Sequence, residues 1–342
     1  MTNEVARATA GQPEGEHTGA RVSVVVPAFN RERFVGLTID SVCRQTFSDW
    51  ELVVFDDGST DDTLAVASTF ADRDRRIHVG HGPNGGVASA RNRGLAMTDS
   101  TTEFVIFLDS DDLLEPEAIQ TLVSELDNHP EYVAVHALAQ CIDDDGTLIP
   151  NDTLLEHLRN RYAFQNGHVI RLETHEPTTF GALIFHNWIV TPGTALIRRD
   201  VLRLVGEFDT TTDPCDDADL TIRTSRHGGI GFVDRTLLRW RRHPDTLSQT
   251  SPRWRKAALR VRAKALIDLS NTPAQLEVAR VGYLHSAAEQ RRAFRHSIRE
   301  RDPREAVKNL LGAANLYEAY AVANMRLWWQ RAASQVGSRP SD

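Results

Sequence analysis

The chain has 342 residues, 41% of them hydrophobic and 25% charged, and a formal charge of −8. That length accommodates one large α/β domain with an appendage, and the acid excess excludes general nucleic-acid binding, leaving only local basic stretches. Cys43, Cys141 and Cys215 are scattered, match neither a metal-ligand spacing nor a disulfide framework, and suit a reducing cytoplasm. Residues 1–20, rich in Gly, Thr, Glu and Ala without the apolar run of a signal peptide, read as a disordered tail. No stretch reaches the roughly 20 apolar residues that span a bilayer, which leaves at most a peripheral membrane contact.

From there the pattern alternates. Val22-Ser-Val-Val-Val26 is a buried strand stopped by Pro27, and Phe34 to Cys43 is a helix with Phe34, Leu37, Ile39 and Val42 along one side. Glu51-Leu-Val-Val-Phe55 and Asp61 to Phe70 repeat the strand–helix unit. Arg76-Ile-His-Val79 is a third strand, followed by Gly82-Pro-Asn-Gly-Gly86 and a helix from Val87 to Met97. Phe104-Val-Ile-Phe-Leu108 is the fourth strand. Such alternation implies right-handed crossovers and a mostly parallel, Rossmann-like sheet flanked by helices. Ligands then bind beyond the carboxyl ends of the strands, where the polar clusters fall: Ala28-Phe29-Asn30, Asp56-Asp57-Gly58-Ser59 and Asp109-Ser110-Asp111-Asp112.

The last cluster has two readings. Ionised carboxylates are costly to bury unpaired, and Asp109 and Asp111, two apart at a strand end, can reach one Mg²⁺ or Mn²⁺ completed by water and phosphates. The same residues can instead form an acidic turn capping the helix that begins near Leu113, with Pro116 in its first turn.

Val22-Ser-Val-Val-Val-Pro-Ala-Phe-Asn30, Gln45-Thr-Phe-Ser-Asp-Trp-Glu51, Asp56-Asp-Gly-Ser-Thr-Asp-Asp62, Asn84-Gly-Gly-Val-Ala-Ser-Ala-Arg-Asn-Arg-Gly94 and Leu108-Asp-Ser-Asp-Asp112 together resemble the family-2 inverting glycosyltransferases of GT-A fold. Thr194-Ala-Leu-Ile-Arg-Arg-Asp200, Gly206-Glu-Phe-Asp209, Asp216-Asp-Ala-Asp-Leu-Thr-Ile-Arg223 and Arg242-His-Pro-Asp-Thr-Leu-Ser248 continue the pattern in the family's order. The resemblance stops at Ser248.

The resemblance implies metal-dependent transfer of a sugar from a nucleotide-diphosphate sugar to an acceptor hydroxyl. A UDP-sugar stands ahead of GDP- or dTDP-sugars. It implies Asp109, Asp111 and His243 as ligands of Mn²⁺ or Mg²⁺ in a DxD arrangement, with Asp112 as neighbour or substitute and Arg242 beside the phosphates. Pro27, Ala28, Asn30, Asp57, Arg91, Asp109 and Ser110 become the donor-binding residues. Asp57 can accept a base N–H, although Asp57-Gly58 is also a natural turn dipeptide. Inversion needs a general base opposite the leaving group, and the resemblance places Asp217 there. Asp216 stands where Glu is common, and Asp219 and Arg223 are spaced for an i,i+4 ion pair. Gly193-Thr194 and Phe208-Asp209 shape the acceptor end, and Trp188 either stacks on a sugar or belongs to the core.

The expected organisation is a catalytic domain over 21–250, with a nucleotide-binding half at 21–115 and an acceptor half at 116–250. Within the latter, Asn151 to Asn187 reads as an irregular, specificity-bearing loop. A helical region over 251–335 and a tail at 336–342 complete the chain. Arg253 to Leu269 sets Trp254, Ala258, Val261, Ala265 and Leu269 on one stripe among basic residues, a pattern that packs against a core or touches an anionic membrane. Further helices over Pro273–Arg299 and Pro303–Ala333 offer a surface for a homodimer. Acceptors open to the family are glycans, lipids, metabolites and proteins. Processive synthases carry membrane spans and a Gln-x-x-Arg-Trp signature, and neither occurs here, so transfer of one or a few sugars is expected. A sugar nucleotidyltransferase and a non-catalytic sugar-nucleotide scaffold are the alternatives.

Overall fold

The computed structural model describes residues 19–242 and 252–299. The expected tails, His243 and the helix over Pro303–Ala333 with its share of a dimer surface lie outside the described residues.

Three strands, each buried along its whole length, form the centre of the first half: β1 (Val22–Ala28), β2 (Trp50–Asp56) and β4 (Phe104–Phe107). β3 (Ile77–His81) is half-buried. β1 pairs in parallel with β2 and β4, so Val22 aligns with Trp50 on one side and Phe104 on the other. β3 extends the parallel set beyond β2. The crossovers are α1 (Val35–Cys43), α2 (Thr63–Ala71) and α3 (Val87–Met97). In α1 the inward residues are Val35, Thr38, Ile39 and Val42, while Leu37 is 49% exposed, correcting its place on the apolar side. Leu37 falls between the inward positions of the 3.6-residue period. α3 runs so close to the sheet that a Cβ on Gly94 would meet Val25 Cγ1 at 2.7 Å. Each fully buried Val, Leu or Ile in this layer contributes about 1.5–3 kcal/mol.

The second half completes an eight-stranded sheet of order β3-β2-β1-β4-β9-β6-β10-β5. Its members are β5 (Leu113–Leu114), β6 (Ala134–Ile142), β9 (Ala195–Arg198) and β10 (Ile230–Arg241). β9 lies antiparallel between β4 and β6, and β5 antiparallel to β10, whereas β6 and β10 are parallel. The sheet is therefore mixed, with parallel pairing along its donor side. α4 (Ala118–Asn128) covers it through Ile119, Leu122, Val123 and Leu126.

Residues 151–187 contain more regular structure than expected. α5 (Asp152–Arg159) leads into a hairpin of β7 (Tyr162–Gln165) and β8 (His168–Arg171), and α6 (Phe180–Leu183) follows. Asn166 and Gly167, at φ 51° and 85°, make the two-residue turn, which requires two left-handed residues and selects Asn-Gly. α7 (Arg199–Val205) and α8 (Asp216–Thr224) precede β10.

α9 (Pro252–Ile267) and α10 (Pro273–Arg299) pack against this body. Ala257, Ala258, Val261, Ala265 and Leu266 join one apolar cluster with Leu183, Leu220 and Ile222. Leu269 is corrected: α9 ends at Ile267, and Leu269 is 84% exposed in the following turn. The described basic residues of α9 face the body as well. Lys264 Nζ lies 2.7 Å from Asp209 and 2.8 Å from Asp219, and Arg260 donates to the Thr211 carbonyl. No helix among the described residues is long and apolar enough to cross a membrane.

Candidate active site

The carboxyl ends of β1, β2 and β4 open into one cavity of about 620 Å³. Pro27, Ala28, Asp57, Arg91, Asp109, Ser110 and Asp111 line it from the donor side, and Asp216 and Asp217 from the first turn of α8. Residues spread over nearly 200 positions thus meet at one sheet edge, from the carboxyl ends of β1, β2 and β4, from within α3 and from the first turn of α8.

Asn30 is placed differently from expectation. It is absent from the cavity wall and spends its groups on loop geometry: Oδ1 accepts from Thr60 N at 2.9 Å, and its own N–H donates to Ser59 Oγ at 2.9 Å. With φ at 52° it adopts a left-handed turn that Asn tolerates. It ties the loop after β1 to the loop after β2.

Asp57 is buried and accepts from Gly85 N at 2.9 Å and Gly86 N at 2.8 Å. It anchors the glycine-rich segment that begins α3. A carboxylate offers about four acceptor sites, so these two amides leave acceptor capacity on the cavity wall.

The acidic turn after β4 divides its labour. Asp112 is buried, its Oδ1 accepting from Arg241 N at 2.9 Å and its Oδ2 lying 3.1 Å from Thr191 Oγ1. Burial, then Asp111 and Asp109, raise its pKa well above the usual carboxylate range. Asp112 is a structural acid. Asp109 and Asp111 face the cavity with side chains 30% and 17% exposed, each held by a guanidinium. Arg91 Nη2 donates to Asp109 Oδ1 at 2.6 Å, and Arg31 Nε to Asp111 Oδ2 at 3.2 Å. Burial raises Asp109 while Arg91 opposes the rise.

These two carboxylates fit a hard divalent cation that takes its other ligands from phosphate and water. Among the described residues no three His, Cys, Asp or Glu side chains converge as a closed cage. The implied third ligand, His243, lies outside them. Arg242 is described, its guanidinium stacked 4.4 Å from the Trp240 ring centroid.

Arg91 is the link between the two ends of the site. Buried in α3, it reaches Asp109 with one nitrogen and Asp216 Oδ2 with another at 2.5 Å. Its Nε has no hydrogen-bond partner among the described residues. Burial works to lower its pKa, but Asp216 and Asp109 overcome that and raise it. Asp217, next to this pair, has its own Oδ1 near Ala218 N at 2.7 Å. Burial and the neighbouring Asp216 push Asp217 up to about 7, with Arg91 opposing. A carboxyl poised near neutrality is suited to accept a proton at that pH.

Other expected residues resolve as follows. Asp219 and Arg223 form the i,i+4 pair at 2.8 Å. Gly193 and Thr194 lie buried behind Leu108, where a Cβ on Gly193 would meet Leu108 Cδ1 at 2.9 Å. Phe208 packs edge-on against Phe107 at 4.6 Å and lies under Arg91, and Asp209 pairs with Lys264. Trp188 belongs to the core: it is 3% exposed and its Nε1 donates to the Ala182 carbonyl.

Sequence reasoning missed Arg31, Thr191 and Arg241. Arg31 had a readable signal, a cation directly after the polar cluster of β1. Arg241, buried at the end of β10, staples the acidic turn by donating Nε to the Asp111 carbonyl at 2.9 Å, and only the pairing of distant strands reveals that.

Comparison with known proteins agrees with this geometry. The profile described as Glycosyl transferase family 2 matches residues 23–205. Chondroitin synthase of Pasteurella multocida (strain Pm70) is 34% identical over 130 residues, which are 38% of this chain and 13% of that protein. The uncharacterized glycosyltransferase EpsJ of Bacillus subtilis (strain 168) is 36% identical over 129 residues, 38% of this chain and 37% of that one. The match thus spans well under half the length of either relative. Among solved structures, S. aureus TarS 1-349 in complex with UDP-GlcNAc superposes with a TM-score of 0.57 at 18% identity, covering 88% of this chain and 91% of that one. The mannosyltransferase PcManGT from Pyrobaculum calidifontis, in complex with GDP-Man and Mn2+, gives 0.54 at 17% identity, covering 91% and 87%. Likeness at that identity establishes the fold. With residues 23–205, more than half of the 342, inside the family profile and a GT-A-like architecture around them, the chain belongs to glycosyl transferase family 2.

Proposed function

We propose that this enzyme transfers a sugar from a nucleoside-diphosphate sugar to an acceptor hydroxyl in one inverting displacement, with Asp217 as general base. The observation that carries this reading is the meeting of Asp217, pushed up to about 7, with Asp57, Asp109 and Asp111 in one cavity. In the step, the acceptor O–H gives its proton to Asp217 as its oxygen bonds to the anomeric carbon. The bond from that carbon to the diphosphate oxygen breaks, and the nucleoside diphosphate leaves with the electron pair.

Asp57, Pro27 and Ala28 would receive the base, Ser110 and Asp109 the ribose and diphosphate end. Asp109 and Asp111 would hold Mn²⁺ or Mg²⁺. When bound, that cation offsets the negative charge building on the leaving group. Arg31 and Arg91, paired with Asp111 and Asp109, carry positive charge toward the phosphates. A UDP-sugar remains the first choice of donor, supported by the UDP-GlcNAc complex of TarS, with a GDP-sugar next from the GDP-Man complex of PcManGT. Residues 21–115 form the donor half and 116–250 the acceptor half in this reading. No disulfide joins Cys43, Cys141 and Cys215, which supports a cytoplasmic setting. Membership of a transferase family favours this reading over a sugar nucleotidyltransferase, and the meeting of Asp109, Asp111 and Asp217 in one cavity favours it over a non-catalytic scaffold.

The test is calorimetric binding of UDP and GDP with and without Mn²⁺, run on the wild type and on Asp217→Asn, beside a transfer assay. The expected result is metal-assisted binding of one nucleotide by both proteins and transfer by the wild type alone. Transfer at the wild-type rate by Asp217→Asn would remove it as the base.

A further inference from the structure

The cavity does not end at Asp217. Beyond the first turn of α8, its wall continues through Leu183 at the end of α6, His186 and Val190 on the segment between α6 and β9, and through Ala258, Val261 and Arg262 on α9. α8 packs directly against both α6 and α9. The wall opposite the donor edge is therefore built partly from a helix that lies beyond the family-matched residues 23–205.

The chemistry of this wall is specific. Its floor is apolar and tightly packed: Val261 and Leu183 are 2% and 3% exposed. Its charged groups are the acids Asp213 and Asp217 and one cation, Arg262. The guanidinium of Arg262 donates to backbone oxygens, Nε to Ile184 at 3.1 Å and Nη2 to Phe185 at 3.3 Å. Lys264 is held by Asp209 and Asp219. His186 stands 2.9 Å from His157, Nε2 to Nε2, an arrangement in which one ring donates and the other accepts, so the pair cannot be doubly protonated. Burial, then His157 and Arg262, hold His186 down to about 4, which keeps it a neutral hydrogen-bonding group.

We infer that α9 and the α6–β9 segment form the acceptor subsite, and that it takes an uncharged sugar ring, with Ala258 and Val261 setting the size it admits. The inference rests on Asp217 being the base at the same cavity. An apolar floor suits the C–H face of a pyranose, neutral polar groups at the rim suit its hydroxyls, and two carboxylates without an uncommitted cation among the described residues disfavour a phosphate or uronate.

The experiment uses the full chain, with p-nitrophenyl β-glucoside, the bulkier β-N-acetylglucosaminide and the acidic β-glucuronide as acceptors and the donor identified by nucleotide binding. Ala258→Phe should lower kcat/KM for the N-acetylglucosaminide relative to the glucoside by ~10-fold or more, through the acceptor KM rather than the donor KM. Val261→Ala, which removes bulk and keeps the helix, should shift the same ratio the other way. The glucuronide should be at least ~10-fold poorer than the glucoside in the wild type. A selectivity ratio unchanged in Val261→Ala, a preferred glucuronide, or donor hydrolysis without transfer to either neutral glycoside would overturn the inference while leaving the donor site standing. A wild type that binds no nucleotide would overturn both this subsite and the donor reading beneath it.

Discussion

Asp217 works as a base only when ionised, so its value of about 7 sets the sign of the pH dependence. The expected kcat/KM rises about tenfold per pH unit below that value and levels above it. Stability runs the other way. A carboxyl raised from 3.8 holds a proton in the native state that the unfolded chain has released. Its contribution is therefore full below about pH 4 and is lost as pH climbs through about 7. Urea melts should show Asp217→Asn gaining stability relative to the wild type as pH rises across this window; a difference independent of pH would contradict the raised value. Arg91 is the second residue to probe. Arg91→Met leaves Asp109 and Asp216 buried without their shared guanidinium, and a loss of about 3–5 kcal/mol in the same melts is expected. At this scale the sequence reading located Asp57, Asp109, Asp111 and Asp217, because each stands in a short motif at the end of an element. It could not see Asn30 turning to Ser59 and Thr60, or Asp112 taken up by Arg241 and Thr191, since those partners are set by tertiary packing.

Among elements, α3 is the one whose seating most directly fixes the site, since it carries Arg91 and begins at the amides held by Asp57. Its closeness to the sheet depends on Gly94. Gly94→Ala would drive a methyl to 2.7 Å from Val25 Cγ1, and overpacking of this kind costs about 1–3 kcal/mol. A melting temperature equal to wild type would show that α3 can shift outward freely. The alternating β1-to-β4 half was legible because β1, β2 and β4 are largely apolar and buried and each helix follows a polar cluster. The second half was harder. β9 enters antiparallel between β4 and β6, a pairing that leaves no local mark on either strand, and the β7–β8 hairpin was missed although Asn166-Gly167 is its turn signal.

For the whole molecule, the boundary expected at residue 250 is crossed by the apolar cluster that joins α9 to α6 and α8. A chain ended at 250 would expose Leu183, Leu220 and Ile222 and lose the partner of Asp219 on Lys264. The expected outcome is loss of the cooperative thermal transition and precipitation on expression. A soluble truncated protein with the wild-type melting temperature would instead make 21–250 an autonomous domain.

The order of the sheet has a consequence for how the protein behaves in a crowded solution. Its last strand on one rim is β5, only two residues long, beside which Arg239 and Glu115 pair at 2.7 Å. Its last strand on the other rim is β3, five residues that include a glycine and two histidines and lack a continuous β-branched run. Neither offers the long, flat ladder of unpaired amides that templates a second chain. Folded copies should therefore not join rim to rim, so any strand-to-strand association begins in molecules that have already lost their core.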